Sequence, residues 1–221
     1  RFAYVASHDL KAPLRAIDNL STWLDQDVHE LLPPASQEHL NKLRGRVQRM
    51  ERLLDDLLAY SRAGRVQHKV ERVETGALVR AIFELQAPPP EFQLTVEEPM
   101  PILYAQRVPL ETVLRNLIGN SIKHRRQPDG HIWVSAHLLE GVVEFHVCDD
   151  GPGIAPEYHE RIFELFQTLQ PRDQLEASGM GLAIVKKTVE SAGGHVSVRS
   201  AEGEGTCFLF TWPAAAEDGT A

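Results

Sequence analysis

Apolar residues in the first sixty positions recur three and four apart. Ala3, Ala6, Leu10, Pro13, Ile17, Leu20 and Leu24 form one stripe. Read as the a and d positions of a heptad, it predicts a helix from about Phe2 to Val28. At 1.5 Å rise per residue such a helix runs about 40 Å. HELLPPASQ interrupts the pattern, because prolines cannot continue a helix interior. A second stripe follows at Leu40, Leu43, Val47, Met50, Leu54 and Leu57, widened by Leu53 and Leu58. Two helices with such broad apolar faces cannot cover each other completely. The pattern therefore predicts a helical hairpin that pairs with a second copy as a four-helix bundle, a homodimer. Pro13 predicts a local bend in the first helix.

Beyond residue 62 the period changes. RAGRVQHK reads as a polar linker. Strand-like runs then fall at Val70–Val73, Gln93–Val96, Ile102–Tyr104, Ile132–His137, Val142–Val147, His195–Arg199 and Thr206–Thr211. Helix-like runs cover Thr75–Gln86, Val108–Lys123 and Gly181–Ala192. This mixture predicts an α+β domain with one face of a sheet covered by helices. Gly151–Ser178 is punctuated by Gly and Pro and reads as a long functional loop. The expected domains are 1–62 for the hairpin, 63–69 for the linker and 70–213 for the α+β domain. A disordered tail is expected over 214–221.

Composition narrows the functions. The balance of 23 basic against 31 acidic residues gives a net charge of −8, which argues against nucleic-acid binding. No apolar run reaches the roughly 18 residues that span a bilayer. The sequence opens inside a helical pattern at Arg1. An upstream sensor segment, with or without a membrane anchor, is therefore expected outside it. Two cysteines, Cys148 and Cys207, sit in separate strand-like runs. They read as buried strand thiols in a reducing cytosol, and the expected location of this portion is cytoplasmic. The ten histidines show no zinc-ligand spacing.

Five constellations carry chemistry. In ASHDLKAPL, His8 takes heptad position f, the most exposed, beside Asp9. A carboxylate on one ring nitrogen fixes the tautomer and leaves the other free to attack, although a lone surface histidine is usually plain surface. In LRNLIGNSIKH, Asn116 and Asn120 share a helix face with Lys123 nearby. Amide oxygens suit Mg²⁺ and lysine suits phosphate, while a pair of asparagines can also merely bridge turns. In VCDDGPGI a strand delivers Asp149, and Gly151 and Gly153 let the backbone approach a ligand or simply turn a hairpin. In ASGMGLAIVKK, Gly179 and Gly181 open a helix whose free amides suit an anion. The Walker spacing is missing, so a P-loop is excluded. GEGTCFLF places Gly205 and Thr206 at a strand entry, as a hairpin turn also would.

In this order and spacing the five elements resemble the sensor histidine kinases over nearly the whole chain. ASHDLKAPL is similar to the phospho-acceptor box of the dimerisation and histidine-phosphotransfer domain, with wording closest to phytochrome-like and hybrid branches. LRNLIGNSIKH, DDGPGI, RIFELFQ and SGMGLAI resemble the boxes of the catalytic ATP-binding domain, an α/β sandwich. The resemblance implies autophosphorylation by Mg-ATP on His8, with Asp9 as acid/base partner. It further implies onward transfer to an aspartate of a response-regulator receiver domain. Asn120 would hold the metal with Asn116 beside it, and Lys123 and His124 would meet the phosphates. Asp149 would read adenine. Gly151, Gly153, Gly179, Gly181, Leu182 and Thr206 would shape the pocket and its lid, with Phe163 and Phe166 as anchors.

Related gyrase-type ATPases resemble one another in a glutamate four residues before the metal-binding asparagine. Here that position is Asn116. An amide cannot take a proton from water, so transfer to an imidazole is favoured over hydrolysis. Ala12, where relatives with phosphatase activity often carry Thr or Asn, implies weak phosphatase activity. Ala177 replaces a frequent lid glycine. An ATPase-type switch and a nucleotide-binding scaffold are the two rival readings.

Overall fold

A computed structural model of the chain describes residues 2–66, 68–125, 127–168 and 178–214, with side chains in the first helix from Leu10 onward. Helix α1 (Phe2–Val28) runs through Pro13 as one element. A single 3₁₀ turn, His29–Leu31, leads to α2 (Pro34–Arg62). Proline at the first helical position costs no hydrogen bond, so the residue that stops one helix starts the next. The Gln37 side chain closes the turn by donating to the carbonyl of His29 at 2.7 Å.

The two helices meet on a face offset by one residue from the apolar stripe of α1. Leu14 and Ser21 are buried, and Lys11, Asp18, Asp25 and Val28 are half-buried on the same side. On α2, Leu40, Val47 and Leu58 are buried and Arg44 is half-buried. Arg44 Nη1 donates to Asp25 Oδ2 at 3.0 Å, and Lys11 pairs with Asp55. The stripe itself faces away: Leu10, Ile17, Leu20, Trp23 and Leu24 are exposed, Leu20 at 60%. Leu43 and Met50 of α2 are exposed as well. The hairpin thus closes on a mixed seam, apolar residues flanked by ion pairs, and leaves the apolar stripe of α1 open.

The second compact unit runs from Ala63 to Gln167 and from Gly181 onward, and holds every strand and helices α3 to α5. β1 (Val70–Glu74) pairs antiparallel with β3 (Ile102–Gln106). A five-stranded sheet has the order β2-β4-β5-β7-β6. Its strands are β2 (Phe92–Val96), β4 (Gly130–Leu139), β5 (Val142–Asp149), β6 (Val196–Ser200) and β7 (Thr206–Pro213). Only β2 and β4 run parallel. Helices α3 (Thr75–Leu85), α4 (Arg107–His124) and α5 (Gly181–Ser191) supply the second layer. Leu110, Leu114, Leu117 and Ile118 of α4 are fully buried, in one core with Ile132, Val134, Phe145 and Phe210 of the sheet. Phe145 and Phe210 stack at 4.8 Å between centroids. All seven strand-like runs are strands, and β4 and β5 alternate buried and outward residues as the pattern requires. Of the expected loop, the described part carries two 3₁₀ turns, Pro156–Tyr158 and Arg161–Phe163.

The expectation of two separate thiols is corrected. Cys148 and Cys207 stand opposite each other across β5 and β7 and are joined in a disulfide. Each strand could be read from its own residues, but their pairing register could not. Joined in this way, the two cysteines do not point to a reducing compartment. In the expected linker, Gly64 has a φ of +75° and lies against α5, where an added Cβ would come within 2.6 Å of Ser191 Cβ. The tail from residue 215 lies outside the described residues.

Candidate functional site

β5 ends at Asp149, so the strand's last side chain is presented where the sheet stops and the chain must turn. Its carboxylate is held from several sides. Gly151 N–H donates to Oδ1 at 2.9 Å and Ser121 Oγ to Oδ2 at 2.7 Å, with a further backbone bond from Thr206. Burial nonetheless raises its pKa above the usual aspartate value, against the pull of these donors.

Three glycines let the loop after β5 close on the β6–β7 hairpin. An added Cβ on Gly151 would lie 2.6 Å from Asp149 Oδ1. On Gly153 (φ +72°) it would lie 1.8 Å from the Ala201 carbonyl oxygen, and on Gly205 (φ +80°) 2.0 Å from that of Asp149. Ser200 Oγ ties the same two segments. It donates to the Gly205 carbonyl at 2.6 Å and accepts from the Ile154 N–H at 2.8 Å. Thr206 is buried at the mouth of β7.

Along α4, Asn116 Nδ2 donates to the Thr112 carbonyl at 2.8 Å, which leaves its Oδ1 as the presented atom. A Cβ on Gly181, the first residue of α5, would lie 2.9 Å from that oxygen and 4.0 Å from Asn120 Oδ1. Two amide oxygens therefore converge on the start of α5. Among the described residues no group of three or more His, Cys, Asp or Glu is placed to hold a metal. Two neutral oxygen donors fit Mg²⁺, which keeps several waters and takes the rest of its shell from substrate phosphates. Lys123 is exposed at the end of α4. His124 has its pKa lowered by burial and by neighbouring Lys123, so near neutral pH it is an uncharged imidazole. Leu182 packs half-buried against the core, and Gly179 adopts φ +70° just before α5. His8 and Asp9 lie on α1, in the other unit, and their side chains are outside the described residues.

The family model described as histidine kinase-, DNA gyrase B- and HSP90-like ATPase matches residues 105–216, and that described as His Kinase A (phospho-acceptor) domain matches residues 1–65. The chain belongs to the sensor histidine kinases. Cyanobacterial phytochrome B of a Nostoc species is 36% identical over 217 residues, which covers 95% of this chain and 29% of that protein. Phytochrome-like protein Cph1 of a Synechocystis species is 34% identical over 215 residues, 96% of this chain and 29% of that protein. The chain thus spans less than a third of the length of either. A crystal structure of full-length ShkA in complex with AMPPNP superimposes with a TM-score of 0.74 at 28% identity, over 97% of this chain and 46% of that one.

Asn116 and Asn120, Asp149, Gly181 and Thr206, which the resemblance implies for nucleotide, come from four separate elements of the second unit, α4, β5, α5 and β7. Two contributors carry no signal in the sequence reading. Ser121 sits between Asn120 and Lys123 as a small polar residue in a helix, yet it bonds Asp149. Arg125, just past α4, pairs with Asp150 at 3.3 Å and donates to the Asp129 carbonyl at 2.8 Å, which fastens the glycine loop to the end of α4. Of the expected anchors, Phe163 meets Phe208 edge-to-face at 6.3 Å, whereas Phe166 is 46% exposed with φ +62°. Ala177 lies outside the described residues.

The glycine packing makes a direct prediction. Gly153→Ala should weaken ATP binding at least about tenfold, because its methyl group meets backbone rather than a yielding side chain and φ is positive. Titration with ATP followed by calorimetry measures it. Unchanged affinity would show that the loop can be rebuilt without loss.

Proposed function

We propose that this chain is the ATP-driven core of a two-component sensor: it phosphorylates His8 and passes the phosphoryl group to an aspartate of a response-regulator receiver domain. One observation carries the reading. A phospho-acceptor hairpin is joined in one chain to an ATP-type pocket with Asn116 where a water-activating glutamate would stand. Asp149 would accept a hydrogen bond from the adenine amino group. Asn120 would hold Mg²⁺, with the Asn116 oxygen beside it, and Lys123 would meet phosphate oxygens. Mg²⁺ there would offset the negative charge carried by the phosphates during transfer. The free ring nitrogen of His8 attacks the γ-phosphorus. The bond from that phosphorus to the bridging oxygen breaks, ADP leaves, and Asp9 takes the ring proton. An uncharged His124 near the phosphates would donate a hydrogen bond without adding charge.

The open apolar side of α1 and α2 supports a homodimer. Leu10, Ile17, Leu20, Trp23 and Leu24 would be covered by a second hairpin as a four-helix bundle, leaving position f for the acceptor histidine. An upstream sensor domain would supply the input. Among the described residues no helix is long and apolar enough to cross a membrane. Dependence on ATP argues for a cytoplasmic position of this portion.

The test is incubation with ATP labelled in the γ-phosphate. Acid-labile, base-stable label on the protein is expected. No uptake by the intact chain would end the kinase reading in favour of a nucleotide-binding scaffold. Release of labelled phosphate without protein label would favour an ATPase.

A further inference from the structure

We infer that Ser121 is the positioning residue for base selection: its hydroxyl fixes Asp149 Oδ2, so that the carboxylate is presented purely as an acceptor to the exocyclic amino group of the purine. The inference rests on the reading of this site as an ATP pocket and adds to it a residue from α4.

Ser121 is buried, with 5% of its surface exposed, and its single hydroxyl proton has two possible acceptors. The Leu117 carbonyl lies at 3.3 Å, the usual helical back-bond, and Asp149 Oδ2 at 2.7 Å. The nearer and charged acceptor takes the proton, since a bond to a carboxylate is shorter and stronger than one to a neutral carbonyl. The two oxygens of Asp149 then have different donors, Gly151 N–H on Oδ1 and Ser121 on Oδ2. The donors from Gly151, Ser121 and the Thr206 backbone leave one of the carboxylate's roughly four lone-pair sites for an incoming N–H. A purine with a 6-amino group donates to such a carboxylate. A purine with hydrogen or a carbonyl oxygen at that position does not. Asp150, the other charged group that acts on Asp149, has its Oδ1 occupied by the His131 N–H and by Arg125. It does not compete for the base.

Without the hydroxyl, Oδ2 loses the one side-chain donor it has among the described residues, in a half-buried site. The carboxyl group is then free to rotate or to hold a proton there, and in either state acceptance from the amino group weakens. The consequence is specific. Ser121 should matter for ATP and hardly at all for a nucleotide that lacks the amino group.

The experiment uses the full chain and calorimetric dissociation constants for ATP and for purine riboside triphosphate, which carries hydrogen in place of the amino group. Ser121→Val and Ser121→Thr are compared, because they have nearly the same volume and differ in the hydroxyl. The unmodified chain is expected to prefer ATP by on the order of 100-fold. Ser121→Thr should retain most of that preference, and Ser121→Val should lose about tenfold in ATP affinity with purine riboside triphosphate unchanged. Equal weakening of both nucleotides by Ser121→Val would reduce Ser121 to a tether between α4 and β5 and overturn the proposal. So would an unchanged ATP preference. If the unmodified chain itself fails to discriminate, the assignment of Asp149 to the base is wrong, and this inference goes with it.

Discussion

With glutamine at position 8, uptake of γ-phosphate is expected to fall to background while ATP binding stays within about twofold of the intact chain. The separation follows from where the parts lie. Ser121 and Gly151, which bond Asp149, and Asn116 and Asn120, which face Gly181, belong to the second unit, whereas His8 sits on α1 in the first. Glutamine keeps a long polar side chain and a good helix propensity, so the hairpin has no reason to suffer. It lacks the neutral ring nitrogen whose lone pair attacks phosphorus. Autoradiography with labelled ATP and a parallel binding titration read the two effects. Label that persists at the unmodified level would move the acceptor elsewhere. Mixing chains that carry His8→Gln with chains that carry Asn120→Ala then asks which subunit serves which: label recovered in mixed dimers means transfer between subunits.

Asp149→Asn should cost at least about 100-fold in ATP affinity. The native carboxylate receives donors on both oxygens, from Gly151 and from Ser121. An asparagine must turn its NH₂ towards one of them. Facing Gly151 it opposes an N–H that has no other role to take, and facing Ser121 it forces the hydroxyl to reverse. Either way the acceptor for the base amino group is compromised, although the size of the side chain is preserved. Acid should imitate the substitution. Only the ionised carboxylate accepts the amino proton, and burial holds the Asp149 pKa above the ordinary aspartate value. ATP affinity is therefore complete well above that raised pKa and is lost as pH falls through it, earlier than an exposed aspartate would allow. Calorimetry across an acidic pH series should show this fall in the native chain and a flat profile in the asparagine variant. A sloping profile in the variant would assign the titration to another group.

Much of the fold could be read from the residues alone, since alternation and β-branched runs marked every strand of the second unit. Core-facing residues such as Val143, Phe145 and Val147 sit where a period of two puts them. What the sequence could not carry was pairing between distant segments. The Cys148–Cys207 bond depends on β5 and β7 being neighbours in one register, 59 residues apart in the chain. The offset of the hairpin seam escaped for a different reason. Periodicity locates the most apolar side of α1, and that side is the one a second hairpin would cover, whereas α2 takes the adjoining mixed side. Ser121 escaped because a small hydroxyl in a helix carries no signature until its acceptor is known. The boxes around Asn120, Asp149 and Gly181 were legible because their chemistry is local: amide oxygens one turn apart, a carboxylate before glycines, free amides opening a helix.

The mixed seam between α1 and α2 has a consequence for how the chain loses its structure. Arg44 with Asp25 and Lys11 with Asp55 are only partly shielded from water, so they set the alignment of the helices as much as they hold them together. In the proposed four-helix bundle, the outer side of the hairpin from Leu10 to Leu24 would be buried only on association. The sheet unit has its own sealed core around Phe145, Leu114 and Ile118. With that pairing, the two halves would answer to different variables. Heat and denaturant would govern the sheet unit at any dilution, whereas the paired hairpin would also be subject to mass action.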